Sequence, residues 1–231
     1  LKAMGQTSPE AVHLVLEAMR RAFLDRARYL GDPDFNRAMP IARLTSKEYA
    51  RELASSIDLA KASVSAELGR DILSTVTPAE PEETTHYSTI DKDGMAVSVT
   101  YTLEGGYGSA VVASGTGFIL NNEMGDFNRV PGLTDNSGSV GTPPNQIAPE
   151  KRMLSSMSPT IVSRNGKVVL ITGSPGGRTI PSTVLGVLLG FMEFGYNGRQ
   201  AVDAPRINHQ WMPDRGTVET DATPAIPQST L

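Results

Sequence analysis

Glu82-Glu83-Thr84-Thr85-His86-Tyr87-Ser88 is the stretch on which the reading of this chain turns. It follows an acidic, proline-containing connector, Thr77-Pro78-Ala79-Glu80-Pro81, and opens a long region of alternating pattern. Threonine is β-branched, so one reading of Thr84-Thr85 is simply the start of a strand. The sharper reading is that Thr84 becomes a new N-terminus. A hydroxyl and a free α-amine on one residue supply both nucleophile and base. With a reference pKa of ~7.7–8.0, about a tenth of such an amine is free base at neutral pH, far more than for a lysine at ~10.4. Acyl-transfer chemistry then needs only that the Glu83–Thr84 bond be cut, and an exposed connector is where a cut is tolerated.

Upstream of the connector the pattern is helical. Ser8-Pro9-Glu10 is a helix start, with a Ser cap, Pro at the first position and an acid in the first turn. Val12, Val15, Leu16, Met19, Phe23 and Leu30 recur at helical spacing until Gly31 stops them, leaving Arg20, Arg21, Arg26 and Arg28 as a basic outer face. His13 on this helix reads as a surface or packing residue. A second helix starts with a capping box from Thr45 to Glu48, and residues 60–73 read as more helix, weakened by serines and Gly69.

Downstream, residues 85–90 and 95–103 are predicted strands joined across Asp91-Lys92-Asp93-Gly94. Residues 110–120 predict one or two more, with Gly115 and Gly117 marking a bulge or a close approach. Residues 127–153 form a long loop without apolar period, the kind that is usually functional or disordered. A hairpin about Asn165-Gly166 joins 160–163 to 167–172. Gly173-Ser174-Pro175-Gly176-Gly177 leads into a helix over 180–194, apolar nearly all round and so buried. A short helix over 199–203 and an extended segment over 211–219 follow. Helices, then strands, then helices predict a layered α+β domain.

The totals bound the function. A chain of 231 residues with 39% hydrophobic and 20% charged content is an ordinary globular composition. A net charge of −4 argues against a nucleic-acid partner, since phosphate binding needs a basic face. The richest apolar run, 184–194, is too short and too glycine-broken to span a membrane. Cysteine is absent, which excludes disulfides and thiolate metal sites, and no metal or cofactor is expected. The chain begins Leu1-Lys2-Ala3 and reads as a piece of something longer, with any targeting peptide upstream.

Four clusters after Thr84 carry polar chemistry: Thr102 and Glu104; Glu123 and Asp126; Ser155 and Ser156; and the glycine turn Gly176-Gly177. Singly, each has a plain structural reading as strand, solvated loop, turn cap or corner. The glycine turn lacks the Gly-Lys-Ser/Thr ending of a P-loop, which rejects nucleotide binding. It suits backbone N–H groups aimed at a developing oxyanion, where one lost donor costs about 2.7–4 kcal/mol of barrier.

Together these stretches resemble a known family. Thr84-Thr85-His86-Tyr87-Ser88, Thr100-Tyr101-Thr102-Leu103, Asn121-Asn122-Glu123-Met124-Gly125-Asp126-Phe127, Leu154-Ser155-Ser156-Met157-Ser158-Pro159-Thr160 and Gly173-Ser174-Pro175-Gly176-Gly177 resemble, in order and spacing, the γ-glutamyltranspeptidases, which are N-terminal-nucleophile hydrolases. Arg26-Ala27-Arg28-Tyr29-Leu30-Gly31-Asp32-Pro33-Asp34-Phe35 resembles the end of that family's large subunit. The resemblance implies a four-layer αββα sandwich, incomplete in these residues. It makes 1–83 the C-terminal part of a large subunit and 84–231 a C-terminally short small subunit, both cut from one precursor between Glu83 and Thr84.

The implied activity is γ-glutamyl transfer from glutathione and related amides to water, an amino acid or a dipeptide, in the periplasm or outside the cell. By position, Thr102 would hydrogen-bond the nucleophile Thr84. Glu104, Glu123 and Asp126 would hold the substrate α-amino group, Ser155 and Ser156 its α-carboxylate, and Gly176 and Gly177 the oxyanion. The charges fit that assignment: a pair of unit charges ~4 Å apart is worth about 4 kcal/mol at an effective dielectric of 20, so three clustered acids want a cation among them.

Departures shape the alternatives. The family's carboxylate-binding arginine belongs to a part of the large subunit upstream of these residues. The loop 131–149, at the place of the family's lid, has no aromatic residue, which implies a more open pocket. A cephalosporin (glutaryl) acylase of the same superfamily is therefore the alternative enzyme, and an uncut amino-acid-binding module the alternative of another class.

Overall fold

The computed structural model describes residues 1–73, 83–128, 130–220 and 226. The connector, expected over 74–83, lies outside them except for Glu83, which begins a strand. The chain is a mixed α and β structure in the order α1 (Pro9–Tyr29), α2 (Ile41–Leu44), α3 (Lys47–Ser55), α4 (Ser65–Leu68), β1 (Glu83–Ile90), β2 (Ala96–Glu104), β3 (Thr160–Arg164), β4 (Lys167–Thr172), α5 (Ile180–Met192), α6 (Gly198–Asp203), β5 (Ile207–Asn208) and β6 (Thr217–Val218). Among the described residues the strands form three two-stranded antiparallel sheets, β1–β2, β3–β4 and β5–β6.

Local chemistry explains the clearest boundaries. Ser8 caps α1 by accepting from the Ala11 N–H, with Pro9 at the first position. Asn165 and Gly166 both take positive φ, 52° and 75°, the conformation of the two-residue turn expected there. A full capping box between Asn197 and Gln200 starts α6. The second helix departs from the expected box: Thr45 closes α2, and Ser46 caps α3 by accepting from Tyr49 N–H. Residues 60–73 hold only the single turn α4, because Gly69 and the flanking serines cannot sustain more.

The arginine face of α1 is corrected by the structure. Arg20 and Arg21 are buried, not solvated. Both grip Glu17, which is also bonded by the Ser63 N–H and hydroxyl; Arg20 further pairs with Asp214 and donates to Ser65. Burial alone would raise the Glu17 carboxyl, but the Ser63 and Arg21 hydrogen bonds outweigh it and hold the pKa at about 2. These ion pairs draw α4 and the 209–214 turn onto α1, where Phe23, Leu24, Ala27, Trp211 and Met212 form a core. Gly69 makes that possible: a Cβ there would sit 2.1 Å from the Trp211 ring. The expected extended segment over 211–219 is thus a buried turn at Trp211 and reaches strand form only in β6.

Two further expectations change. Residues 110–120 make no named strand; they close on themselves through the Val112–Ile119 bridge and the Ala113 N–H to Phe118 bond. Gly115 and Gly117 turn its tip with positive φ, and nothing approaches either. Helix α5 ends at Met192, two residues early, and buries Ile180, Ser182, Val184, Val187 and Gly190 rather than its whole circumference.

Candidate active site

Side chains on a strand alternate between faces. In β1 this puts Thr84, His86 and Ser88 on one side, and the register sets them opposite Thr102, Thr100 and Ser98. These six side chains are all hydroxyl or imidazole, and Ile90 and Ala96 end the same face. The other carries Tyr87, Val97 and Tyr101, which are exposed. On the polar face the Thr84 hydroxyl donates to the Thr102 hydroxyl at 3.3 Å, and Thr102 Oγ1 also accepts the Glu104 N–H at 2.9 Å.

The ladder breaks at this point. Its register shifts between Glu83 and Thr84, so Glu83 faces Glu104 while Thr84 faces Thr102. Glu104 itself has φ 70°, left-handed backbone that a side chain adopts only at a cost of about 1–3 kcal/mol. The bulge and the left-handed residue sit opposite each other across the expected cleavage junction. They turn the end of β2 toward the next cluster.

Asn122 delivers that cluster. Its N–H donates to the Leu103 carbonyl and its side-chain oxygen accepts the Gly105 N–H, returning the chain to the end of β2. The 3-10 turn Glu123–Asp126 follows and lies against Glu104. Gly125 lets the carboxylate in, since a Cβ there would overlap Glu104 Oε1 at 1.8 Å. Burial, then the charges of Asp126 and Glu104, raise the Glu123 carboxyl to about 7, with a hydrogen bond from protonated Glu123 to Asp126 adding to it. Near neutrality this group is poised to shed its proton when a cation enters.

The serine loop comes from the far side. Ser155 is exposed and accepts the Met157 N–H, leaving its own proton to donate. Ser156 Oγ accepts from Arg26 Nη2 of α1 at 2.9 Å, which brings a guanidinium to the serine pair. Arg152 moors the loop to the end of α1: its backbone N–H, Nε and Nη2 all bond Asp32, whose carboxyl is held well below the usual range by those bonds.

The glycine turn approaches from β4. The His86 ring packs against Gly173, where a Cβ would come within 2.2 Å of it, while Nδ1 and Nε2 bond Thr100 and Ser88. Ser98 Oγ donates to the Thr172 carbonyl at 3.1 Å beside it. Gly176 and Gly177 take φ of 120° and 50°, conformations open to glycine. Thr179 fixes them, giving both its N–H and its hydroxyl to the Gly176 carbonyl. Arg178 ties the turn to the Gly138 carbonyl in the loop 131–149.

The structure therefore brings Thr84, Thr102, Glu104, Glu123 and Asp126 into one contact chain. Ser155 and Ser156 join through Asn145, and Gly176 and Gly177 at one remove through Gly173 and His86. Sequence reasoning missed Arg26, Gly125, Asn145 and His86 as parts of this assembly. Of these, Gly125 had a signal, a small residue between two acids. Among the described residues no group of three His, Cys, Asp or Glu side chains is placed to hold a metal, and no helix is long and apolar enough to cross a membrane.

Known structures share this architecture. A cephalosporin acylase from Bacillus halodurans superposes with a TM-score of 0.67 at 26% identity, over 88% of this chain and 33% of that one. A mutant of the Helicobacter pylori γ-glutamyltranspeptidase superposes with a TM-score of 0.54 at 51% identity, over 58% of this chain and 72% of that one. The class is that of these acyl-transferring enzymes' folds, mixed in helix and strand. The family model for gamma-glutamyltranspeptidase matches residues 1–230, and the chain belongs to that family. The glutathione hydrolase proenzyme of Escherichia coli K12 is 46% identical over 224 residues, 97% of this chain. The chain spans 38% of that relative's length.

Proposed function

We propose that these residues form the catalytic junction of a γ-glutamyl acyl-transfer enzyme that acts on glutathione and related γ-glutamyl amides. The observation that carries the reading is the Thr84–Thr102 hydroxyl pair, set at a ladder bulge beside the Glu104, Glu123 and Asp126 cluster. Family membership and a relative named as a proenzyme support it. In this reading 1–83 ends a large subunit and 84–231 begins a small one. The described sheets are then part of a four-layer αββα sandwich. The exposed Tyr87, Val97 and Tyr101 support that, as a face a second sheet would cover. Residence in the periplasm or outside the cell follows the same family reading.

Maturation begins when Thr84 Oγ attacks the Glu83 carbonyl carbon. The C–N bond breaks as the C–O bond forms, leaving an ester on Oγ and a free α-amine. Water then hydrolyses the ester, giving the Glu83 carboxylate and a new N-terminal threonine. In turnover the α-amine takes the Thr84 hydroxyl proton while Oγ attacks the γ-glutamyl carbonyl. The oxyanion meets backbone N–H groups at Gly176 and Gly177. The α-ammonium returns its proton to the departing amine, and the resulting ester passes its acyl group to water or to an acceptor amine.

The substrate head complements the site in charge. Its ammonium lies among Glu104, Glu123 and Asp126, and Glu123 ionises on binding. Its carboxylate takes hydrogen bonds from Ser155 and Ser156, with Arg26 lending positive charge behind Ser156. The likeness to a cephalosporin acylase supports a second reading, hydrolysis of a glutaryl side chain, which has the carboxylate but no ammonium.

The test uses the longest natural polypeptide that carries this sequence, assayed on γ-glutamyl anilide and on glutaryl-cephalosporin. The proposal expects preference for the γ-glutamyl substrate, and neither cleavage nor release in Thr84→Ala. Preference for the glutaryl substrate would establish the acylase. Binding of glutamate without turnover would establish an amino-acid-binding module.

A further inference from the structure

The side-chain amide of Asn145 lies between the acid turn and the serine loop. Its Nδ2 donates to the Asp126 carbonyl at 2.7 Å, and its Oδ1 accepts the Leu154 N–H at 2.9 Å. The amide orientation is dictated by its partners, since a carbonyl can only accept and a backbone N–H can only donate. One residue thus spans the element carrying Asp126 and the element carrying Ser155 and Ser156.

The support beneath it is stiff. Asn145 is 5% exposed and ends the 3-10 turn Pro143–Asn145, whose two prolines fix their own φ. The Asn128 N–H donates to the Asn145 carbonyl at 2.9 Å, and Asn128 Nδ2 to the Thr142 carbonyl at 2.7 Å. Thr142 Oγ1 then donates to the Ala27 carbonyl of α1 at 2.5 Å. Gly31 at the end of α1 leaves room for this turn: a Cβ there would lie 2.1 Å from the Pro144 carbonyl oxygen. The turn is anchored to a long helix, while the two hydrogen bonds of the Asn145 amide themselves set the distance between the two sides of the head pocket.

We propose that Asn145 is a positioning residue that sets the spacing between the ammonium-binding and carboxylate-binding sides, so that the site favours acyl donors carrying both groups on one carbon. The inference rests on the γ-glutamyl reading above. A ligand that fills one side tolerates drift of the other, whereas an α-amino acid head does not. Loss of the bridge should therefore act on the two-group head alone.

Three anilides separate the effects: γ-glutamyl anilide with both groups, glutaryl anilide with the carboxylate only, and 4-aminobutyryl anilide with the amine only. They are assayed with the mature full-length enzyme. In Asn145→Asp, the side chain can still accept from Leu154 but repels the Asp126 carbonyl. The KM for γ-glutamyl anilide should rise about ten-fold, with kcat little changed, the scale of one lost buried hydrogen bond. The two single-group anilides should change less than about two-fold in kcat/KM by the same reasoning. Thr142→Val, which frees the same turn from α1 but keeps the bridge, should lower thermal stability and leave the ratios among the three anilides intact. If Asn145→Asp does not fold, Asn145→Ser removes the bridge without burying a charge, and the same ratios decide. Equal losses on all three anilides, or an unchanged γ-glutamyl KM, would overturn the inference. A parent enzyme showing no preference for the two-group head would instead overturn the γ-glutamyl reading beneath it.

Discussion

Thr84 and Thr102 face each other across the β1–β2 ladder with their hydroxyl oxygens 3.3 Å apart, one residue beyond a register shift that isolates the Glu83–Thr84 bond. Thr102 Oγ1 is also the acceptor for the Glu104 N–H. One hydroxyl therefore touches both the candidate nucleophile and the backbone that carries the first acid. Thr102→Val, close to isosteric, should slow cleavage at Glu83–Thr84 by about five-fold, as one hydrogen bond is worth some 1 kcal/mol. Thr102→Ser should restore it. The time course of precursor loss measures this, and equal rates in Thr102→Val and parent would refute the contact's role.

Gly125 tests the acid cluster by space alone. In Gly125→Ala the new methyl meets the far end of the Glu104 side chain, which can swing away, so the fold should survive. The displaced carboxylate then no longer faces an incoming ammonium. The KM for a γ-glutamyl donor should rise by about ten-fold, the scale of one lost charge-assisted contact. Titration with glutamate by calorimetry checks it, and an unaltered affinity would place Glu104 outside the pocket.

Glu123 carries a pH dependence of defined sign. Its pKa is raised to about 7 in the folded chain by burial and by its acidic neighbours, from an ordinary value of 4.5. The folded state thus favours the protonated form, an advantage complete below pH 4.5 and lost as pH rises through 7. Glu123→Gln should be more stable than the parent at pH 8 and equal to it at pH 4.5. The gain should be roughly 2–4 °C in Tm per kcal/mol relieved. Equal Tm values at pH 8 would contradict the cluster as built.

His209 should show the opposite slope. Burial, with Arg20 adding and Asp214 opposing, lowers its pKa from 6.5 to about 4. The unfolded chain takes up a proton near pH 6.5 that the folded chain refuses. The contribution is therefore full above 6.5 and lost as pH falls toward 4, on the order of 2–3 kcal/mol. His209→Asn should flatten this acid limb in urea unfolding measured from pH 7 to pH 4. An undiminished limb would assign the acid sensitivity to groups other than His209.

What the sequence disclosed were features written locally. The Ser8 cap, the Asn165-Gly166 turn and the switch from helical to alternating period at the connector each depend on residues a few positions apart. Arg20 and Arg21 were misread as surface because their burial depends on Asp214 and Ser63, far along the chain and invisible to periodicity. Residues 110–120 have strand composition but pair only with themselves, so propensity overstated them. In the site, the candidate residues could be named through the resemblance of five ordered motifs to a known family. What holds them together could not: Asn145 is one polar residue in a loop without period, and its meaning lies in Asp126 and Leu154 on either side of it.

The most direct measurement is the N-terminal residue of the fragments formed when the longest natural polypeptide carrying this sequence is folded and incubated, read by intact mass and end-group sequencing. The account predicts two chains, the second beginning at Thr84, and a single uncut chain in Thr84→Ala. A parent protein that stays whole at Glu83–Thr84, or one cut at another bond while still releasing γ-glutamyl groups, would contradict it.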